Sequence, residues 1–440
     1  MTRVVVFCVT GPMPILRVNS CFTATLASAA ILSFTSFTLG CDEGELAQLE
    51  QSGADEAGEI DPSEDTGDGG ETNESGESGE TDESEAEREP PPPPPAYDEW
   101  VKIELPGTQC SDGSQYKFFV NWHEDADDLL VVFEPGGACW DYASCSGELG
   151  ILGAANPYGI SDSHMDLWSL HSPLVRRDSK QNPMRTWNMV FVPYCTGDVH
   201  TGSKTTTYES ADGTKQLTYR HVGHDNMLAL SEWLGWQFAG TDKLYTGGCS
   251  AGGVGSNINY YFLREAIDPK HGYLVNDSGP LFPNSVNSAP LHSTIREVWG
   301  LDEVIEHTPI AASLDQDFGA INAELADLFP DDRLGVTYFI RDYNYSRYSY
   351  ERFFEGIDQA GIHQKFFEDT LLLMAQYDDR PNLAYYLPYY RNLNDSHCAS
   401  IIDFAMTDIG DWQLGEFIEL VLDDSLPLLS LADLDGSLGP

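Results

Sequence analysis

Short apolar runs rich in β-branched and aromatic residues alternate with segments of helical periodicity from about residue 97 onward. Between two such runs, residues 224–238 place Met227, Leu230 and Leu234 near helical spacing, which predicts an amphipathic helix. A weaker candidate strand covers residues 383–389, because Pro388 falls inside it. The other predicted strands cover residues 116–122, 128–134, 188–192, 243–246, 273–276 and 336–340.

This alternation of strands and helices predicts an α/β fold. Helices on both faces would cover a mostly parallel sheet, because the crossover from one parallel strand to the next usually runs through a helix. The folded domain is predicted to span residues 97–440.

The pattern differs before residue 97. Residues 22–40 form an uncharged stretch diluted by small and hydroxylated residues, which predicts a signal peptide over residues 1–40 instead of a membrane span. The tetrapeptide Thr38-Leu39-Gly40-Cys41 resembles a bacterial lipobox, in which the cysteine is lipidated and becomes the mature N-terminus. Secretion with ordinary cleavage nearby is the alternative.

Residues 41–96 are predicted to form a disordered tether. Residues 42–89 hold 20 acidic side chains, one Arg and few large apolar groups, so they cannot bury enough surface to offset chain entropy. Residues 90–95 are consecutive prolines, which favour a stiff polyproline II spacer. The tether would hold the domain away from a membrane surface.

Charge excludes one class of partner. The chain carries 71 Asp and Glu against 23 Lys and Arg, a formal net charge of −48. A nucleic-acid-binding protein needs clustered cations to neutralise phosphates, and no stretch of this sequence supplies a basic patch. Nucleic acid is therefore not an expected partner.

The most informative motif follows the predicted strand at 243–246. Gly248-x-Ser250-x-Gly252 stands between that strand and a predicted helix over 254–267, the context that a nucleophilic serine requires. Small residues two positions before and after the serine permit a sharp turn, from which its hydroxyl projects above the sheet. A glycine-rich turn that happens to contain serine is the alternative.

A second glycine cluster follows the predicted strand at 128–134. Gly136 and Gly137 lie upstream of Ser250, in the order in which hydrolases place their oxyanion loop. The N–H groups of Gly136, Gly137 and Ala251 are the candidate oxyanion donors, and one such donor lowers the barrier by roughly 2.7–4 kcal/mol. Taken alone, two glycines after a strand indicate only a turn.

Five ordered motifs together resemble the pectin acetylesterase family, which also contains the Notum carboxylesterases. They are Glu134-x-Gly136-Gly137-x-Cys139, Pro193-Tyr194-Cys195-x-Gly197-Asp198-Val199-x-x-Gly202, Gly248-Cys249-Ser250-Ala251-Gly252-Gly253, Asp277-Ser278-Gly279 and His397-Cys398. The resemblance implies an α/β-hydrolase-like fold, and an O-acetyl group on a polysaccharide such as pectin as the substrate.

Hydrolases of this type order their triad as serine, acid and histidine along the chain. Of the five histidines that follow Ser250, three come too early in the chain to follow the preferred acid, and His363 lies inside a helix-like run. His397, in a loop rich in Asn, Asp and Ser, is left. The family motif falls on the same residue. His397 is therefore predicted to be the general base.

The acid is chosen by position. Asp342 follows the predicted strand at 336–340 and leaves room for a helix before His397, whereas Asp378 ends a helix-like run and stays open as the alternative. Relatives place the acid just after an aromatic residue, but here Tyr345 is followed by Ser346, so the family pattern is lost at this point. Asp277 follows a strand too soon after the nucleophile and is interpreted as support for the pocket.

Six of the nine cysteines lie beyond Cys41, an even number that suggests disulfides in a secreted protein. Cys139 and Cys145 are close enough in sequence to bridge locally. Pairing Cys110 with Cys195 is then one option, and it leaves Cys249 and Cys398, each beside a proposed catalytic residue. A zinc site is the alternative, but no C-x-x-C spacing supports one.

These features predict a secreted serine esterase of bacterial type, tethered to a membrane if Cys41 is lipidated. The alternatives are a Notum-like lipid deacylase and a catalytically silent carbohydrate-binding module. The sequence shows no cofactor motif, and neither a cofactor nor a metal is expected for this chemistry. Residues 90–440 hold 51 acidic and 20 basic side chains, so de-esterified pectin should be repelled.

Overall fold

A computed structural model describes residues 91–149 and 153–438. The predicted signal peptide, Cys41 and nearly all of the predicted tether lie outside these residues. The strands are β1 (Val101–Gln109), β2 (Gln115–Asn121), β3 (Leu129–Phe133), β4 (Asn188–Val192), β5 (Lys204–Glu209), β6 (Gln216–His221), β7 (Lys243–Cys249), β8 (His271–Asp277), β9 (Arg333–Thr337), β10 (Leu383–Leu387) and β11 (Leu431–Ala432).

The helices form the layers around the sheet. They are α1 (Tyr142–Cys145), α2 (His164–Trp168), α3 (Gly223–Phe238), α4 (Ala251–Ile258), α5 (Tyr260–Ile267), α6 (Ala289–Trp299), α7 (Leu301–Glu306), α8 (Ala311–Gln316), α9 (Ile321–Leu328), α10 (Tyr343–Tyr350), α11 (Gln359–Asp378) and α12 (Leu414–Leu422). Among the described helices, none has the length and apolar character that crossing a bilayer requires.

Nine strands form one sheet in the order β1-β2-β4-β3-β7-β8-β9-β10-β11. The pairs β1–β2 and β2–β4 are antiparallel, and the pairs from β4 to β11 are parallel. Strands β3, β4 and β10 are buried along their whole length, as expected for parallel strands covered on both faces. The predicted α/β class with a mostly parallel sheet is confirmed.

Two boundary predictions need correction. The strand predicted at 336–340 is β9, Arg333–Thr337, because the apolar run beyond it stays buried but continues as irregular chain bonded to the segment after β10. The helix predicted over 254–267 is two helices that meet at Asn259. The side-chain amide of Asn259 donates to the carbonyls of His200 and Gly255, and such local side-chain bonds compete with helical pairing.

The sequence pattern missed β1 and the separate hairpin formed by β5 and β6. The hairpin is mostly exposed, and Tyr208, Tyr219 and His221 are the side chains that it buries. Alternation of one buried aromatic with polar residues gives a weak strand signal.

Candidate active site

The turn at Ser250 joins a buried strand to a helix. Strand β7 ends at Cys249, helix α4 begins at Ala251, and Ser250 between them has φ 57° and ψ −119°. A left-handed φ is uncommon for a residue with a side chain and concentrates at functional sites. The structure therefore forms the sharp strand–turn–helix geometry that the G-x-S-x-G motif predicts.

The flanking glycines are required by close approach. A Cβ on Gly248 would lie 2.6 Å from the carbonyl oxygen of Phe133, and a Cβ on Gly252 would collide with the same carbonyl. Strand β3 therefore passes so near the turn that no side chain fits at either position. This contact also brings the chain that follows β3 to the serine.

His397 and Asp342 form a buried pair. His397 Nδ1 lies 2.8 Å from Asp342 Oδ2, and Asp342 is fully buried while His397 is 8% exposed. Burial opposes the charge on the imidazole, but the charge and hydrogen bond of Asp342 outweigh it and raise the pKa of His397. Burial raises the pKa of Asp342, although the charge and hydrogen bond of His397 offset part of that rise.

The hydrogen bond also orients the ring. A carboxylate that accepts from Nδ1–H leaves Nε2 as the acceptor nitrogen of a neutral imidazole. The second oxygen of Asp342 accepts from Tyr345 N at 2.9 Å and caps helix α10, which fixes the carboxylate in place.

The rival acid, Asp378, lies elsewhere. It is the last residue of α11, its side chain is exposed, and Tyr385 OH donates to it at 3.1 Å. The structure therefore brings Asp342, and not Asp378, to His397.

Three disulfides are present, Cys110–Cys195, Cys139–Cys145 and Cys249–Cys398. The third joins the residue before Ser250 to the residue after His397, across 149 positions of sequence. Residues so far apart in sequence become neighbours only through the tertiary fold. The disulfide therefore links the turn that carries Ser250 to the loop that carries His397.

Two groups of described residues place cysteine and histidine ligand atoms near one another: Cys139, Cys145 and His221, and Cys249, His397 and Cys398. In each group the two sulfurs are bonded to each other. A metal is held by thiolates, so neither group is a metal site while its disulfide is intact.

The glycines proposed for the oxyanion hole lie beside Ser250. Gly136, Gly137 and Ala251 line the same pocket as Ser250 and His397. Gly136 has φ 154°, and a Cβ there would lie 2.6 Å from Ala155 N and 2.8 Å from a ring carbon of Tyr194. The loop is thus packed so closely that only glycine fits at this position.

A buried carboxylate that sequence reasoning did not select supports this loop. Glu134 is fully buried, and its Oε2 accepts from Tyr194 N at 2.6 Å and from Asn156 Nδ2 at 2.8 Å. Its Oε1 lies 3.2 Å from His164 Nε2. The family motif that includes Glu134 was the available signal, because a single acidic residue is inconspicuous in so acidic a chain.

The pocket has a volume of about 840 Å³. Its walls are largely apolar and aromatic. Two arginines in the lining form ion pairs, Arg347 with Glu351 at 2.9 Å and Arg352 with Asp141. The apolar lining residues include Trp140, Leu149, Trp168, Val254, Tyr348 and Ile401.

A serine on a left-handed turn between a buried parallel strand and a helix, within this sheet, defines a protein of the α/β-hydrolase-like class. The pectinacetylesterase family model matches residues 100–349, more than half of the chain. The chain therefore belongs to the pectinacetylesterase family. The match ends before His397.

Curated relatives are similar over a shorter region. The palmitoleoyl-protein carboxylesterase NOTUM of Drosophila melanogaster is 26% identical over 207 residues, 44% of this chain and 29% of that protein. Human NOTUM is 25% identical over 167 residues, 37% of this chain and 31% of that protein. The chain thus spans about a third of the length of the curated relatives it matches.

A solved structure shares the fold. The crystal structure of the Wnt deacylase Notum from Drosophila superposes with a TM-score of 0.52 and 18% sequence identity, covering 76% of this chain and 96% of that one. At this identity the likeness shows the α/β-hydrolase-like fold alone.

Proposed function

We propose that this protein is a serine carboxylesterase. Ser250 is the nucleophile, His397 is the general base, and Asp342 orients the imidazole and stabilises its protonated form. The observation that carries the proposal is that the left-handed Ser250 and His397, whose Nδ1 is held by the buried Asp342, line one pocket.

The reaction follows from these positions. His397 Nε2 takes the proton of Ser250 Oγ as the oxygen attacks the ester carbonyl, and the N–H groups of Gly136, Gly137 and Ala251 hold the oxyanion. His397 then gives its proton to the departing alcohol, which leaves an acyl-serine. Water, deprotonated by His397, hydrolyses that ester and restores Ser250.

For the substrate we infer an O-acetyl group on a polysaccharide. Membership of the pectinacetylesterase family supports this choice. The polar side chains of the pocket, among them Asn344, Arg347 and Asn394, can hydrogen-bond sugar hydroxyls, and aromatic side chains such as Trp140 offer flat apolar faces for sugar rings.

A second candidate is deacylation of a long-chain ester, as the name of the NOTUM relatives describes for them. The observation that favours it is the extent of the apolar wall, because an acetyl group would occupy a small part of about 840 Å³. A pocket that accepts a long chain would gain about 0.8 kcal/mol for each methylene it buries.

Acyl length separates these candidates. If the acyl site is shaped for acetyl, kcat/KM for p-nitrophenyl acetate should exceed that for p-nitrophenyl octanoate, since the longer chain then gains no further contacts. The long-chain candidate predicts the reverse order, by roughly tenfold or more if even two of the added methylenes are buried. Hydrolysis of neither ester would contradict both candidates and favour a silent binding module.

Surface charge should affect the choice of polysaccharide. The acidic excess of residues 90–440 repels galacturonate carboxylates, and the arginines of the pocket are neutralised by Glu351 and Asp141. At low salt we expect slower deacetylation of acetylated pectin than of neutral acetyl-xylan. The gap should narrow as salt shortens the Debye length to about 8 Å at 0.15 M. A preference for pectin at low salt would contradict this expectation.

Export to an oxidising compartment is part of the proposal. Three disulfides within the domain support it, because such bonds are rare in proteins of a reducing cytosol. Lipidation of Cys41, which would keep the exported enzyme on a membrane, stays a prediction from the sequence.

A further inference from the structure

Asp277 is a buried carboxylate with two sets of contacts in the active site. It is the last residue of β8, it is 2% exposed, and it pairs with Cys249 in the register of β7 and β8. Its carboxylate does not take the place beside His397 Nδ1, which Asp342 occupies. Its role must therefore lie in what else it holds.

The backbone of Asp277 holds the nucleophile turn. Ser250 N donates to the carbonyl oxygen of Asp277 at 2.8 Å, one step beyond the last pair of the β7–β8 ladder. This bond continues the sheet register to Ser250 itself, where the backbone turns into a left-handed conformation. The strained turn thus has a partner on the neighbouring strand.

The carboxylate of Asp277 holds the chain that follows His397. Oδ1 accepts from Ala399 N at 2.9 Å, and Oδ2 accepts from Ser400 N at 2.7 Å and from Ser400 Oγ at 2.6 Å. The next residue continues the contact, because Ser278 Oγ accepts from Cys398 N at 3.0 Å and donates to Asp277 Oδ1 at 2.8 Å. The three residues after His397 are therefore each bonded to the end of β8.

The same segment is also held by Arg391. This arginine is 2% exposed, it donates through Nη2 to the carbonyl of Cys398, and its backbone N–H donates to Ser396 Oγ at 3.1 Å. Asp277 and Arg391 thus contact opposite polar groups of the loop. Their charges also attract each other.

We propose that Asp277 is a positioning residue of the esterase, which fixes Ser250 and the loop carrying His397 in register with each other. The proposal rests on the function proposed above, and it extends that function to a residue outside the triad. This one residue reaches both loops, through its backbone carbonyl to Ser250 and through its carboxylate to Ala399 and Ser400, because β8 lies next to β7 in the sheet. The Cys249–Cys398 disulfide joins the same two loops by an independent route.

The charge of Asp277 has a second consequence, for the pH dependence of activity. Three charged groups contact His397 or the residues after it. Asp342 is bonded to His397 Nδ1, Asp277 accepts from Ala399 N, and Arg391 donates to the carbonyl of Cys398. Burial lowers the pKa of His397, whereas Asp342 first and Asp277 next raise it. A general base acts when neutral, so activity is lost as the pH falls through this raised pKa.

Replacing Asp277 with asparagine tests both effects. An amide keeps one acceptor oxygen but turns an N–H₂ group toward an N–H donor of the loop, which displaces His397. We expect kcat to fall by roughly 100-fold, the loss that a displacement of about 1 Å can produce, with little change in KM. The acid limb of the kcat/KM profile should move to lower pH, because a negative charge that raises the pKa of His397 is gone.

Asp332→Asn is the matched control. Asp332 is also 2% exposed and lies at the amino ends of β8 and β9, away from the active site. Its carboxylate accepts from Gly272 N at 3.0 Å, Tyr260 OH at 2.9 Å and Arg264 Nε at 2.9 Å. This variant should lose stability in a similar way but keep the acid limb unchanged. Asp277→Glu, which retains the charge, should restore the position of the acid limb even where kcat stays low.

If Asp277→Asn does not fold, a second variant still tests the proposal. Ser278→Ala removes a loop contact without removing a charge, so kcat should fall by about tenfold or more while the acid limb stays in place. An unchanged kcat in Ser278→Ala, or an unshifted acid limb in folded Asp277→Asn, would overturn the proposal. An active wild type that loses nothing in Ser250→Ala would instead contradict the proposed function.

Discussion

Replacing Asp342 with asparagine should lower kcat by about 10,000-fold, as expected when the acid of a serine–histidine–acid triad becomes an amide. The amide Nδ2 donates where the carboxylate accepted, so His397 must present Nδ1 as an acceptor and carry its proton on Nε2. An imidazole in that tautomer cannot take the proton of Ser250. The increase that Asp342 causes in the pKa of His397 is lost as well.

The fold should survive this change. Asp342 Oδ1 caps helix α10 through Tyr345 N, and asparagine is as good an N-cap as aspartate. The melting temperature therefore distinguishes a catalytic loss from unfolding. Steady-state hydrolysis of p-nitrophenyl acetate by the folded variant gives kcat.

Asp378→Asn is the control for this prediction. Asp378 is exposed and contacts Tyr385 OH, so its replacement should change kcat by no more than about twofold, as is usual for a surface substitution. Loss of activity in Asp378→Asn together with near-normal activity in Asp342→Asn would reverse the assignment of the acid.

The nucleophile turn was predictable because its sequence signal is local, although the close approach of β3 that requires its glycines is a tertiary contact. Gly248, Ser250 and Gly252 specify a sharp turn through their own backbone, and the strand before them and the helix after them have strong periodic signals. The mostly parallel sheet was predictable for a similar reason, since buried strands such as β3 read as continuous apolar runs.

The acid was harder, because its position depends on tertiary structure. Asp342 was selected as the residue after a strand, yet β9 ends at Thr337 and Asp342 caps the next helix. What brings it to His397 is the packing of two loops separated by 55 residues, which no local pattern encodes. Glu134 was missed for a related reason, since its burial is visible only in the fold.

The role of Asp277 was only half visible. Its place after a strand suggested support for the pocket. The bond to Ser250 depends on the pairing of β7 with β8, and the bonds to Ala399 and Ser400 depend on the loop after His397 packing against the end of β8. A carboxylate with several backbone donors looks the same in sequence as any of the surface acids.

Ser250→Ala should have the largest effect of all, because the variant lacks the oxygen that attacks the ester carbonyl and carries the acyl group. Its fold should be kept, since the N–H that bonds to Asp277 O stays and the side chain loses one atom. Loss of a nucleophilic serine lowers kcat on the order of a million-fold, and the remaining rate comes from the oxyanion donors and substrate binding.

The central claim is tested most directly by the hydrolysis of p-nitrophenyl acetate. The rates of purified wild type and of Ser250→Ala are measured side by side, after their melting temperatures have been shown to be similar. Rapid turnover by the wild type and a rate on the order of a million-fold lower in the variant is the predicted result. A folded Ser250→Ala protein that retains a rate within about tenfold of the wild type would contradict the assignment of Ser250 as the nucleophile.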